Sequence, residues 1–253
     1  MKKPYLTLVC SMMIVSLAVF ASAQAPAAKP AKKPARQQAP KKPRTAEGAV
    51  TPEVKNPERH EQFLKRIKQG PADLLFLGDS ITDGWRGQAS FAKFAPYNPA
   101  DFGISGDRTE HVLWRITHGE LEGIKPKVVV IMIGTNNVGH FGDEKPEWAA
   151  AGVKKIIDTV QEKLPEAKIL LLAVFPRDKH DSSMRKRVDG INEIIAKFGD
   201  GKKVRFLDIN KVFLDANGDI PKDIMPDSLH PNVKGYGLWY DAMQPMLSEM
   251  MGK

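Results

Sequence analysis

Five residues of this chain have the types and the order that acyl transfer requires. Ser80 ends the stretch Gly78-Asp79-Ser80, and Gly106 closes Gly103-Ile104-Ser105-Gly106. Asn136 lies in Gly134-Thr135-Asn136-Asn137, and Asp227 stands three residues ahead of His230 in "PDSLHPN" (226–232). A serine hydroxyl is a weak nucleophile until a neighbouring base takes its proton. His230 supplies an imidazole suited to that exchange near neutral pH. Asp227 can fix the ring tautomer and stabilise the imidazolium that forms. Negative charge on a tetrahedral intermediate calls for aimed donors: the backbone N–H groups of Ser80 and Gly106 and the side-chain amide of Asn136. Glycine at 106 suits a backbone that must approach the substrate, where a Cβ would intrude. Each residue alone has an ordinary use as a helix cap or turn former. Their order along the chain, each after an apolar run or before a helix, carries the reading. His60, His111, His118, His140 and His180 read as structural or exposed, with His140 near enough to line a pocket.

The elements that must bring these residues together are legible as apolar runs with helical stretches between them. "DLLFLGD" (73–79), "KVVVIMIG" (127–134) and "KILLLAVFP" (168–176) are continuous runs of the kind buried on both faces. "KVRFLDI" (203–209) reads as a more peripheral strand, and "YNPADFGISG" (97–106) as a weaker one ending near Gly103. Trp148, Gly152, Ile156, Val160 and Leu164 fall at i+4 intervals along one helix stripe. Tyr236, Trp239/Tyr240, Met243, Leu247 and Met250 form another, and 107–118 and 183–199 also read as helical. Strands alternating with helices predict an α/β fold with a parallel sheet covered on both faces. Sites in such sheets form beyond the carboxyl ends of the strands, where all five residues fall.

Other chemistries have less support. Ser80 is not in a G-x-S-x-G elbow. The chain has no G-x-x-x-x-G-K-[ST] and no strand-borne G-x-G-x-x-G, so a nucleotide cradle lacks its motif. A two-metal phosphoesterase built on Asp79, Asp83, Asn136 and His230 would need further histidine and carboxylate ligands on these loops. A non-catalytic envelope or carbohydrate-binding protein is the alternative from another class.

Of the 253 residues, the first 23 read as a signal peptide. Lys2 and Lys3 precede an apolar run from Leu6 to Phe20, too short to cross a bilayer of ~30 Å. Small residues follow, with cleavage expected after Ala23 or, alternatively, Ala25. The expected location is therefore outside the cytoplasm, periplasmic or secreted. Cys10 is the only cysteine and would leave with the signal, so the mature chain would hold together without disulfides. Residues 24–52, with "APAAKPAKKPARQQAPKKPRT" (25–45), read as a disordered Pro/Ala/Lys-rich linker, and 53–253 as one catalytic domain. Nine basic residues against Glu47 put the whole formal net charge of +8 before Pro52. The remainder is neutral, so the basic pI gives no support to nucleic-acid binding by the domain. The tail is suited to electrostatic contact with an anionic envelope surface.

The motifs "GDSIT" (78–82), "GISGD" (103–107), "GTNN" (134–137) and "DSLH" (227–230) resemble, in order, the four sequence blocks of the SGNH (GDSL-type) esterases and lipases. The stretch 101–137 is similar to the catalytic subunits of brain intracellular platelet-activating factor acetylhydrolase and their bacterial relatives. The likeness runs from about Asp73 to the C-terminus. It implies a three-layer α/β/α sandwich with a flavodoxin-like, five-stranded parallel sheet. It also implies Ser80 as nucleophile, Asp227 and His230 completing a triad, and Ser80, Gly106 and Asn136 forming the oxyanion hole, with no cofactor and no metal. The expected substrate is a short acyl ester, acetyl foremost, on a carbohydrate or small molecule, with a lipid ester as alternative. A homodimer is compatible with this reading. Ser105 departs from the family by replacing a glycine beside the oxyanion position.

Overall fold

The computed structural model describes residues 43–252. Five short strands form one parallel sheet: β1 Leu74–Gly78, β2 Pro99–Gly103, β3 Val128–Met132, β4 Lys168–Leu172 and β5 Val204–Leu207. Their spatial order is β2-β1-β3-β4-β5. Helix α1 (Pro57–Lys68) precedes the sheet, and α2 (Ser80–Asp83) and α3 (Ala89–Ala92) follow β1. Then come α4 (Thr109–Thr117), α5 (Thr135–His140), α6 (Pro146–Lys163), α7 (Ser183–Ile195) and the closing α8 (Val233–Met251).

The two-residue period of a strand explains the layers. Leu75, Leu77, Val129, Ile131, Ile169 and Leu171 turn to one face, where α1, α4, α6 and α7 bury Phe63, Val112, Val153 and Val188 against them. Leu74, Phe76, Val128, Val130, Leu170 and Leu172 turn to the other, against Trp85, Phe94 and the α8 residues Trp239, Met243 and Leu247. Strands covered on both faces read as unbroken apolar runs, and the result is the expected three-layer α/β/α sandwich. Trp85 stacks on Trp239 with ring centroids 3.8 Å apart, fastening the loop after β1 to the last helix.

The peripheral run over 203–209 forms edge strand β5, whose last three residues are only half-buried. The weaker run forms the opposite edge but starts late. A 3-10 turn over Ala95–Tyr97 and a left-handed Asn98 (φ 45°) delay β2 until Pro99. Helix α1, which the sequence reading does not contain, has Asn56 as N-cap and Pro57 in its first turn but buries only His60 and Phe63. Its apolar stripe is too thin to register as a period.

The expected signal peptide and most of the expected linker lie outside the described residues. The linker's last ten residues, 43–52, differ from the expectation. They carry a 3-10 turn at Glu47–Ala49 with Ala49 buried. Arg44 reaches the domain through ion pairs with Glu110 at 2.9 Å and with Glu144. Both carboxylates are buried, and Thr109 Oγ1 donates to Ala49 O at 2.9 Å, so ion pairs, a hydrogen bond and one buried alanine tie the stretch to the domain.

Candidate active site

The rim formed by the carboxyl ends of the strands carries the site. Chain connections leave β1 toward β2 on one side and reach β3 on the other, so β1 lies at the point where the winding reverses. Ser80 follows β1 as the first residue of α2. Its N-cap is Asp79, whose carboxylate accepts from Ile81 N at 3.0 Å, so Ser80 itself is not the cap. The strand-to-helix turn is tight, because a Cβ at Gly78 would meet Thr82 Oγ1 at 2.0 Å and Met132 O at 2.8 Å. Only glycine lets β1 end there.

Ser80 Oγ donates to His230 Nε2 at 2.9 Å, and His230 Nδ1 donates to Asp227 Oδ2 at 2.6 Å. Asp227 Oδ1 also accepts from the backbone N–H groups of Leu229 (3.0 Å) and His230 (2.7 Å). Partial burial pushes the Asp227 pKa up, but these bonds from His230 and the backbone outweigh it and hold the carboxyl below its ordinary value. An ionised carboxylate only accepts, so Nδ1 carries the ring proton and Nε2 offers its lone pair to Ser80. The loop reaches this shape through Ser228, which sits in the left-handed region (φ 59°) and accepts from Asp178 N at 3.0 Å.

The two remaining expected residues occupy adjoining loops. Asn136 is buried in the first turn of α5, and its Nδ2 donates to Asp107 O at 3.0 Å. That bond uses one amide hydrogen and ties Asn136 to the loop bearing Gly106. Gly106 is left-handed (φ 75°), and a Cβ there would meet Lys55 Nζ at 2.9 Å and His140 Cε1 at 3.8 Å. His140 thus stands at the rim, as its position suggested. Below the loop, Asp107 is buried and paired with Arg115 at 3.0 Å, and Arg115 also pairs with buried Glu120.

Several residues around the site were not singled out by sequence. Lys55 donates to Ser105 O, and Arg177 Nη1 donates to Thr135 O (3.0 Å) and Oγ1 (3.2 Å), bracing the start of α5. Asn137 accepts from Thr109 N at 3.1 Å and donates to Thr109 Oγ1 at 2.9 Å, lashing α5 to α4. All act through long-range contacts, which the sequence does not display, even for Asn137 inside the GTNN motif.

The donors imagined for a metal centre have other partners. Asp83 pairs with Arg59 and Arg86 and accepts from Ser105 Oγ, while Asn136 bonds Asp107 O. Among the described residues, Glu53, Glu110 and His111 come close enough together for a cation. Glu110 there is already paired with Arg44 and Arg108, and burial with the Arg108 charge drives His111 down to about 3, keeping it neutral.

The sequence profile of the GDSL-like Lipase/Acylhydrolase family matches residues 76–238. Platelet-activating factor acetylhydrolase IB subunit alpha1 of Homo sapiens is 33% identical over 201 residues, covering 77% of this chain and 83% of the relative. A GDSL-like lipase from Bacteroides thetaiotaomicron superposes with a TM-score of 0.64 at 18% identity, covering 75% of this chain and 97% of that one. A mutant of an acetyl-xylooligosaccharide esterase from Geobacillus superposes with a TM-score of 0.56 at 21% identity, covering 71% and 94%.

Proposed function

The chain belongs to the GDSL-like lipase/acylhydrolase family, and on that premise we propose that it is a serine esterase cleaving short acyl esters, acetyl foremost, through an acyl-Ser80 intermediate. The observation that carries the reading is the unbroken hydrogen-bond chain Ser80–His230–Asp227. In the first step Ser80 Oγ attacks the ester carbonyl carbon while Nε2 of His230 takes the hydroxyl proton. The carbonyl oxygen becomes an oxyanion held by the N–H groups of Ser80 and Gly106 and by the Asn136 amide. Collapse of the intermediate expels the alcohol, which receives the proton from His230. Water then attacks the acyl-enzyme with His230 again as base, releasing the carboxylic acid and restoring Ser80. Asp227 supports the imidazolium in both halves.

An acetyl group is supported by the names of two relatives, one an acetylhydrolase and one an acetyl-xylooligosaccharide esterase. The carbohydrate or small-molecule alcohol follows the second, and a lipid alcohol follows the first, whose sequence identity is the higher. A panel of acetyl, butyryl and octanoyl p-nitrophenyl esters, with acetylated xylan and a short-chain phospholipid, tests both features. The proposal expects kcat/KM to fall steadily with acyl length and acetate to be released from xylan. Preference for octanoyl, or turnover of the phospholipid alone, contradicts it.

A further inference from the structure

The segment ahead of α1 passes over the oxyanion loop and places an ammonium group on it. Lys55 Nζ donates to Ser105 O at 2.5 Å and lies 3.4 Å from Asp107 Oδ1. Neutralising Asp107 does not require Lys55, because buried Arg115 already pairs with that carboxylate at 3.0 Å. The shorter bond is to the carbonyl, and that carbonyl belongs to the same peptide unit as the Gly106 N–H. In a trans peptide plane the C=O and N–H point in opposite directions. A cation that holds Ser105 O on one side therefore fixes the N–H on the other. The fit is close, since a Cβ on Gly106 would come within 2.9 Å of Nζ.

From this geometry we infer that Lys55 is a positioning residue for the oxyanion hole, clamping the Ser105–Gly106 peptide so that the Gly106 N–H faces the acyl site. The inference rests on the proposed role of Gly106. Other grips act on the same loop. Ser105 Oγ donates to Asp83 Oδ2 at 3.0 Å, and Asp83 is itself paired with Arg59 and Arg86. Asp107 O receives the Asn136 amide. Ser105 Oγ thus supplies a second handle on the peptide Lys55 holds. With the neighbours of Gly106 gripped elsewhere, loss of Lys55 loosens one peptide plane and leaves the loop in place. Misplacing a catalytic donor by ~1 Å costs about 10²-fold in rate. A partial release under these remaining grips is expected to cost about tenfold.

Lys55 is one-third exposed and stands outside the core, so its variants test the idea without threatening the fold. Lys55→Met and Lys55→Arg are compared with the parent for kcat and KM on p-nitrophenyl acetate, inhibition by an alkyl boronic acid and melting temperature. The boronate forms a tetrahedral adduct on Ser80 and sets an oxygen where the oxyanion would be. Expected for Lys55→Met is a kcat lower by about tenfold, KM within about twofold, boronate affinity weakened by about the same factor as kcat/KM, and unchanged melting. Lys55→Arg, which keeps a donor, restores most of kcat. Unchanged kcat and boronate affinity in Lys55→Met, or a defect confined to KM, overturns the inference. Ser80→Ala separates the two levels. Full activity there would end the serine mechanism itself, whereas an inactive Ser80→Ala beside an unimpaired Lys55→Met would end only the role of Lys55.

Discussion

In the proposed mechanism Ser80 loses its proton only to a ring nitrogen that bears none, and the ring's bond to Asp227 sets which nitrogen that is. Asp227→Asn can donate from its amide to Nδ1, which would place the ring proton on Nε2 and present Ser80 with a donor. The expected result is a fall in kcat of roughly 10³–10⁴ with the fold intact, read by steady-state kinetics beside circular dichroism. In the same proposed mechanism Asn136 acts later, when charge appears on the substrate oxygen. Asn136→Ala is expected to lower kcat by about 10²–10³ while KM changes little, because the amide contributes most in the transition state. A change confined to KM would move Asn136 from the oxyanion hole to substrate binding. The side chains of both residues are recognisable by type in the sequence. Lys55 and Arg177 are not, because a lysine before a helix cap or an arginine after a strand has no local feature that announces its partner.

At the scale of elements, the site depends on how sharply the strands stop. Gly103 ends β2 where a Cβ would come 2.3 Å from Asp83 N and 2.9 Å from Asp79 O. Gly103→Ala therefore pushes against the backbone of α2, which carries Ser80. It is expected to destabilise the domain by roughly 1–3 kcal/mol, measured by urea denaturation, and to lower kcat through displacement of α2. The central strands were legible because burial on both faces writes them as continuous apolar runs, as in Val128–Met132. Helix α6 was legible because Ile156 and Val160 recur on its buried side. Helix α1 was not, since two buried residues in twelve leave no period. Helix α2 was also invisible, as four residues are too few to show one.

At the scale of the whole molecule, the stretch ahead of the domain is fastened by charges that composition alone conceals. Arg44 pairs with buried Glu110 and Glu144, so a chain beginning at residue 53 would leave both carboxylates without it. Such a chain is expected to be less stable than one beginning at residue 43 by about 3–5 kcal/mol in urea denaturation, and Arg44→Met should reproduce most of the loss. Equal stability of the two chains would make the amino-terminal strap dispensable. Burial also pushes the Asp79 carboxyl from its ordinary value up to about 7. Between pH 4 and that value the folded state holds a proton the unfolded chain has lost, so this group's contribution to stability declines as pH rises. Asp79→Asn keeps a capping oxygen and removes the titration. Its melting temperature relative to the parent should therefore climb from pH 4 to pH 8, and a pH-independent difference would refute the assignment. The most direct test of the esterase reading is intact-protein and peptide mass spectrometry of enzyme acid-quenched during turnover of p-nitrophenyl acetate, an activated ester whose good leaving group makes deacylation the slower step. The account predicts one acetyl group per chain, carried by Ser80 and absent from Ser80→Ala. Continued hydrolysis with no acetyl on Ser80 would contradict it.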